Sequence, residues 1–268
     1  MILGTGRMAK LLAKVFRGVA EVFLASPTQS EAKKLAKRLG VEWARVEDAG
    51  DHDFVVLAVP PLRLKEAASS IARHLKPRAV VMDISSVKKG FVEKVLEVLP
   101  SDAGYVSLHP LFGPSVRRIE GETVVVIPVR GEWALIKALE LVKGSGLRAV
   151  VSSVEEHDKV MSIIQVAHHL SYLAYALTLT EAMDSQLIER YATRSLRATL
   201  RMLKRMSKNF GVVREIQELN VYGRAAKVHL LESLKKLIEA DEDTWSKVKT
   251  SLESLAFLRL CRASEPLR

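Results

Sequence analysis

The sequence predicts two parts in series: an α/β N-terminal domain on a doubly wound, mostly parallel sheet, then an all-α C-terminal domain. Three observations predict it. Short β-branched runs alternate with helically spaced stretches up to about residue 150, the rhythm of strands joined by crossover helices. A glycine turn separates the first apolar residues from the first helical stretch. After Ser153 only the helical rhythm remains.

The strand candidates are 21–24, 54–59, 79–84, 105–108, 123–128 and 148–151, each short and rich in residues that fit a pleated surface. Helical stretches lie between them at 8–16, 30–39, 64–74, 90–99 and 133–143. Only three residues precede Gly4, so any first strand is very short. Ser153-Val154-Glu155-Glu156 has the form of a capping box and marks a helix start. From there to Leu260 apolar residues recur at helical spacing, interrupted near 209–211 and 240–243. The expected division is 1–151 and 152–268, a packed junction and not a flexible tether.

A chain of 268 residues accommodates one large domain or two ordinary ones, and 48% apolar residues suffice for a real core. The single cysteine, Cys261, rules out an intramolecular disulfide and fits a cytoplasmic protein. No run of about 18 apolar residues is visible, so no membrane span is expected. The N-terminus lacks the charged and apolar regions of a signal peptide. The net charge of +10 suits an anionic partner, whether nucleic acid, phosphate-bearing cofactor or acidic metabolite; it equally suits a lysine-rich soluble surface.

Gly4-Thr5-Gly6-Arg7-Met8-Ala9 is a G-x-G-x-x-A turn opening a helix. The first glycine permits the tight turn, the second lets backbone approach a pyrophosphate, and the small third residue allows close helix–strand packing. Helix N-terminal amides then face the phosphates. The N-terminal half thus reads as a Rossmann-type dinucleotide-binding domain, with Gly4, Thr5, Gly6, Arg7 and Met8 at the cofactor. An acid ending the second strand would bind the ribose of NAD. No carboxylate stands between Val22 and Ser30. Ser26 and Thr28 are placed to donate to a 2′-phosphate and Arg7 or Lys33 to add charge, so NADP is expected ahead of NAD.

Ligands in such sheets bind beyond the carboxyl ends of the strands. Val59-Pro60-Pro61 ends one strand and is expected to wall the nicotinamide; Asp83-Ile84-Ser85-Ser86-Val87-Lys88 puts two hydroxyls after the next. His109 follows the run 105–108 and is flanked by Pro110 and Phe112-Gly113-Pro114. If the three strands are parallel neighbours, Ser86 and His109 converge in one crevice, where an imidazole titrating near neutrality suits proton transfer. The prolines and glycine are expected to hold His109 at the crevice mouth. No metal site is assigned.

The His-Pro-Leu-Phe-Gly-Pro motif at 109–114, the Asp-x-x-Ser-Val-Lys loop and the Gly-Thr-Gly-Arg-Met turn together resemble the prephenate dehydrogenase (TyrA) family of tyrosine biosynthesis. The segment 155–169, with Gln165, His168 and His169, is similar to that family's opening helix. The resemblance covers nearly the whole chain and departs at Ala9 and in the short first strand. It implies oxidative decarboxylation of prephenate with hydride transfer to NADP or NAD. It assigns His109 as proton acceptor, Ser86 as the group orienting it, and His169 with Gln165 as substrate contacts from the helical half. One arginine is to hold a substrate carboxylate. Arg194, Arg197, Arg201 and Arg205 share a helix face, a pattern more common for a solvated face; Arg205 is chosen, with Arg201 as alternative. His157 and Asp158 read as a hydrogen-bonding pair at the domain junction, outside direct catalysis. The resemblance also implies a homodimer through the helical domain, with 170–179 and 228–238 as apolar faces.

Arogenate dehydrogenase is a rival that differs by one substrate group. An imine reductase shares the layout without the histidine motif. A basic nucleic-acid-binding protein is a remote rival, opposed by 6% aromatics and the lack of any nucleic-acid-binding motif.

Overall fold

The structure, a computed structural model, describes residues 1–258; residues 259–268, among them Cys261 and the end of the helical reading, lie outside it. Two compact units are present, divided between His157 and Asp158.

In the first unit, β1 (Ile2–Leu3), β2 (Phe23–Ala25), β3 (Glu42–Trp43), β4 (Phe54–Leu57), β5 (Val80–Asp83), β6 (Gly104–Pro110), β7 (Thr123–Arg130) and β8 (Arg148–Val151) form one sheet. Its order is β3-β2-β1-β4-β5-β6-β7-β8, and every neighbouring pair is parallel except β6 with β7. The helices are α1 (Arg7–Phe16), α2 (Gln29–Leu39), α3 (Leu64–Ala72), α4 (Val92–Leu96) and α5 (Glu132–Gly144). Every residue of β5 is buried, as expected of a parallel strand covered on both faces. Leu12 and Phe16 of α1 and Ala134, Ala138 and Val142 of α5 join Val56, Met82, Val106 and Val126 of the sheet in one apolar core.

Besides shifts in element ends, such as α4 at Val92–Leu96 against 90–99, two strands differ from the sequence reading. The two-residue β3 carries no alternating run to announce it. The strand holding His109 is longer than 105–108, because antiparallel pairing with β7 extends β6, setting His109 opposite Val125 and Pro110 opposite Val124. His109 is therefore a paired strand residue, 3% exposed, and strand pairing holds it more directly than the Phe112-Gly113-Pro114 turn.

The second unit is helical throughout its described residues. It opens within α6 (Val154–Met161), which continues through a π-helical segment (Ser162–Ala167) into α7 (His168–Ala182). Then come α8 (Ser185–Tyr191), α9 (Arg194–Lys208), α10 (Phe210–Leu219), α11 (Gly223–Ile238) and α12 (Glu242–Ala256). The breaks foreseen near 209–211 and 240–243 are present; those after Ala182, Tyr191 and Leu219 were not foreseen. The wide turn is braced from outside. Gln217 Nε2 donates to the Val166 carbonyl at 2.9 Å, and Asn220 Nδ2 donates to the Asp158 carbonyl at 2.9 Å. The unbroken run Val154–Ala182 is long and apolar enough by length and composition to cross a bilayer, although it holds no continuous stretch of about 18 apolar residues. Polar His157, Asp158, Gln165 and His169 interrupt it.

Gly4 shows what the first turn demands. Its φ is +136°, and a Cβ there would run into the Ala58 carbonyl oxygen of the adjacent strand end. Gly4→Ala is expected to cost about 1–3 kcal/mol of stability, read as a lowered urea midpoint; an unchanged midpoint would contradict the account.

Candidate active site

The parallel strands β1, β4, β5 and β6 end on the same edge of the sheet, and chain order reverses between β1 and β4. That reversal is the switch point where such sheets bind ligands. Gly4 N donates to the Ala25 carbonyl at 2.9 Å, drawing the turn toward the end of β2. Gly6 is the N-cap of α1, and a Cβ built on it meets no atom within 4 Å. Protein packing therefore does not require this glycine, and the open space before the helix N-terminus fits an approaching pyrophosphate. Ala9 is fully buried, letting α1 lie close on the sheet, and the first turn of α1 holds no acid to oppose an anion. Arg7 is exposed there; Thr5 and Met8 are half-buried.

Other expected cofactor contacts are placed less simply. Ser26 is buried, and its Oγ accepts from Thr28 N at 3.2 Å, so it acts as a turn residue. Thr28 is exposed as the N-cap of α2. Lys33 Nζ lies 4.1 Å from the Trp43 ring centroid, over β3. Val59 is half-buried and Pro60 exposed beyond β4, where Pro61 begins a 3₁₀ turn.

A buried polar cluster joins β5 to β6. Asp83 Oδ1 accepts from Ser85 N at 2.8 Å, from Ser85 Oγ at 2.6 Å and from Lys88 Nζ at 3.2 Å. Tyr105 OH donates to Asp83 Oδ2 at 2.7 Å. Lys88, 0% exposed, also donates to the Leu108 carbonyl at 2.7 Å, one residue before His109. Burial alone would raise the Asp83 carboxyl; the Lys88 ammonium and neighbouring serine donors outweigh it and hold the group below the usual carboxylate range. Tyr105 is pushed well above its ordinary value by burial, then by Asp83. Ser86, the predicted orienting serine, is half-buried in the same loop, whereas Ser85 is tied into the cluster.

His109 Nδ1 lies 2.8 Å from His157 Nε2, the rings meeting edge to face. His157 is thus a direct partner of His109, a contact the sequence reading did not name. The His109 pKa is driven well below 6.5 by burial, then by the Lys88 charge and by His157. A neutral imidazole results. If its Nδ1–H donates to His157, the lone pair of the neutral ring resides on Nε2.

The remaining predicted residues belong to the helical unit. Gln165 sits in the π-helical segment and His169 in the first turn of α7, both half-buried. His169 Nδ1 is buried without a hydrogen-bond partner in the structure, and burial, then His168, lowers the ring's pKa. Arg194, Arg197, Arg201 and Arg205 are all exposed on α9.

Sequence reasoning missed Asp83, Lys88 and Tyr105 as a unit. The available signal was an acid ending an otherwise apolar strand with a lysine five residues on. Lys88→Met is expected to cost about 3–5 kcal/mol, since it leaves Asp83 buried without its counter-charge. The check is chemical denaturation, and a loss under about 1 kcal/mol would show the pair to be dispensable.

Comparisons with known proteins agree with this layout. The family profile described as "Prephenate dehydrogenase, nucleotide-binding domain" matches residues 12–151, and "Prephenate dehydrogenase, dimerization domain" matches 153–247. A 4-amino-4-deoxyprephenate dehydrogenase of Streptomyces pristinaespiralis is 31% identical over 76% of this chain and 70% of its own length. A probable arogenate/prephenate dehydrogenase of Methanocaldococcus jannaschii is 27% identical over 66% of this chain; the match spans only 41% of that relative. Prephenate dehydrogenase from Aquifex aeolicus, solved with hydroxyphenyl propionate and NAD+, shares the fold at a TM-score of 0.76 and 20% identity, over 95% of this chain and 96% of that one.

Proposed function

The chain belongs to the prephenate dehydrogenase family, and from that premise we propose that it oxidises and decarboxylates prephenate to 4-hydroxyphenylpyruvate, a cytoplasmic step of tyrosine biosynthesis. The observation that carries this reading is a buried, neutral His109 at the end of β6, one strand from the Asp83 loop and on the same sheet edge as the glycine turn. A nicotinamide dinucleotide bound at that turn supplies the hydride acceptor.

His109 takes the proton of the substrate's 4-hydroxyl through Nε2 as the carbon bearing it is oxidised; the ring carboxylate leaves as carbon dioxide and the ring becomes aromatic. His157 accepts from His109 Nδ1, fixing the tautomer and sharing the positive charge that forms. Ser86 orients the hydroxyl. Arg205, with Arg201 as alternative, holds a carboxylate bidentately, and His169 and Gln165 complete the substrate contacts. A second copy of the chain covers the apolar faces of α7 and α11, where Leu177 is 60% exposed and Leu231 52% exposed.

The arogenate reading stays beside this one because the Methanocaldococcus relative carries both names. The deciding experiment follows reduced nicotinamide by absorbance with prephenate, arogenate and 4-amino-4-deoxyprephenate, each with NAD and NADP. Turnover of prephenate above the others is expected. Turnover of arogenate alone moves the substrate by one group, and no turnover with any of them overturns the reading.

His109→Asn is expected to lower kcat by about 10²–10⁴-fold, the range of general-base catalysis. In the unaltered enzyme kcat/KM is expected to hold at pH 6.5 and fall only below it, because the His109 pKa is depressed. An acid limb centred at or above pH 6.5 would remove His109 from this role. The same depression stabilises the fold above the unfolded pKa, about 6.5. That contribution is lost as pH falls through the folded value.

Arg205→Gln is expected to raise substrate KM roughly tenfold or more, the loss of a charged hydrogen-bonded contact, while kcat falls less. The same effect from Arg201→Gln, with Arg205→Gln silent, would move the carboxylate site one turn along α9.

A further inference from the structure

The cofactor reading leaves open how the enzyme treats the ribose 2′ position, and one contact bears on it. Glu31 lies in the first turn of α2, one residue past the stretch 22–30 that lacks any carboxylate. In the fold that gap closes. Thr5 Oγ1, within the glycine turn, donates to Glu31 Oε2 at 3.2 Å. The contact bridges 26 residues of chain and brings a carboxylate onto the β2 side of the turn.

We infer that Glu31 sets cofactor choice by disfavouring a 2′-phosphate, so that the enzyme uses NAD ahead of NADP. This rests on the dinucleotide reading of the glycine turn. By the topology of such folds, the turn takes the pyrophosphate and the adenosine ribose lies toward the end of β2. A carboxylate there accepts from ribose hydroxyls and repels a phosphate dianion. Of the groups expected to welcome a 2′-phosphate, Lys33 stacks over Trp43 of β3. Arg7 opens α1 directly after Gly6, at the helix end expected to face the pyrophosphate. The absence of an acid at the strand end therefore does not make the pocket neutral, because Glu31 supplies the charge from the next helix.

The test is isothermal titration of the purified full chain with NAD and with NADP, without substrate, repeated on Glu31→Gln and Glu31→Lys. Both variants alter an exposed side chain. NAD is expected to bind about tenfold tighter than NADP, with Glu31→Gln abolishing most of that ratio and Glu31→Lys inverting it. Tighter NADP binding by the unaltered chain overturns the inference and leaves the dinucleotide reading standing, as does a ratio that neither variant moves. Failure of both dinucleotides to bind overturns the reading of the glycine turn and this inference together.

Discussion

A lysine ammonium with no access to water sits beneath the end of β6, and the geometry around His109 depends on how it is satisfied. Withdrawing such a charge from water costs several kcal/mol, offset only when a counter-charge and further acceptors are close. Lys88 finds them in the Asp83 carboxylate, the Ser85 hydroxyl and the Leu108 carbonyl. These partners come from the end of β5, the loop after it and β6. Since Tyr105 also donates to Asp83, the cluster ties β6 to β5 at two points, three residues apart along the strand. An apolar core could stabilise the sheet as well, but it would leave the strand end free to shift.

Sequence pattern revealed the fold where each element carried its own periodic signal. The alternation of strands and helices needed no tertiary information and is present, and of the capping box at Ser153 the structure shows the serine half, with Ser153 Oγ accepting from Glu156 N. The two-residue β3 and the extra length of β6 are properties of pairing partners, and Val125 lies 16 residues from His109 in the chain. The π-helical segment is equally illegible, because one widened turn barely disturbs apolar spacing over six residues. One of its carbonyls, that of Val166, accepts from Gln217, 51 residues away. His109 was recognisable from its motif, whereas its bond to His157 spans 48 residues and required the fold. Thr5 and Glu31 repeat the lesson, since a residue just outside the expected window is brought back by helix geometry.

The glycine turn separates two demands that a motif merges. Gly4 answers to the protein, with a positive φ and a strand backbone where a side chain would stand. Gly6 answers to no such demand, since a Cβ there would meet no atom of the described residues within 4 Å. Ala9 shows which of the motif's demands relaxes. Close packing of α1 needs a small residue, and alanine, wholly buried, satisfies it without the entropy that glycine would lose.

On the proposed reaction, the cluster that positions His109 also weakens it as a base. Lys88 and burial favour the neutral ring, which is the form able to accept a proton, yet they disfavour the imidazolium that results. General-base catalysis is usually best served by a pKa near the working pH. The chemistry of the substrate relieves that requirement. Loss of carbon dioxide and formation of an aromatic ring drive the step forward, so the base need not hold the proton firmly. A depressed pKa then has two uses: the base is ready over a wide pH range, and it gives up its proton readily afterwards. With His109 Nδ1 as donor in its 2.8 Å contact with His157 Nε2, His157 limits the cost while the charge lasts. Position, protonation state and proton release thus follow from the placement of Lys88 between β5 and β6.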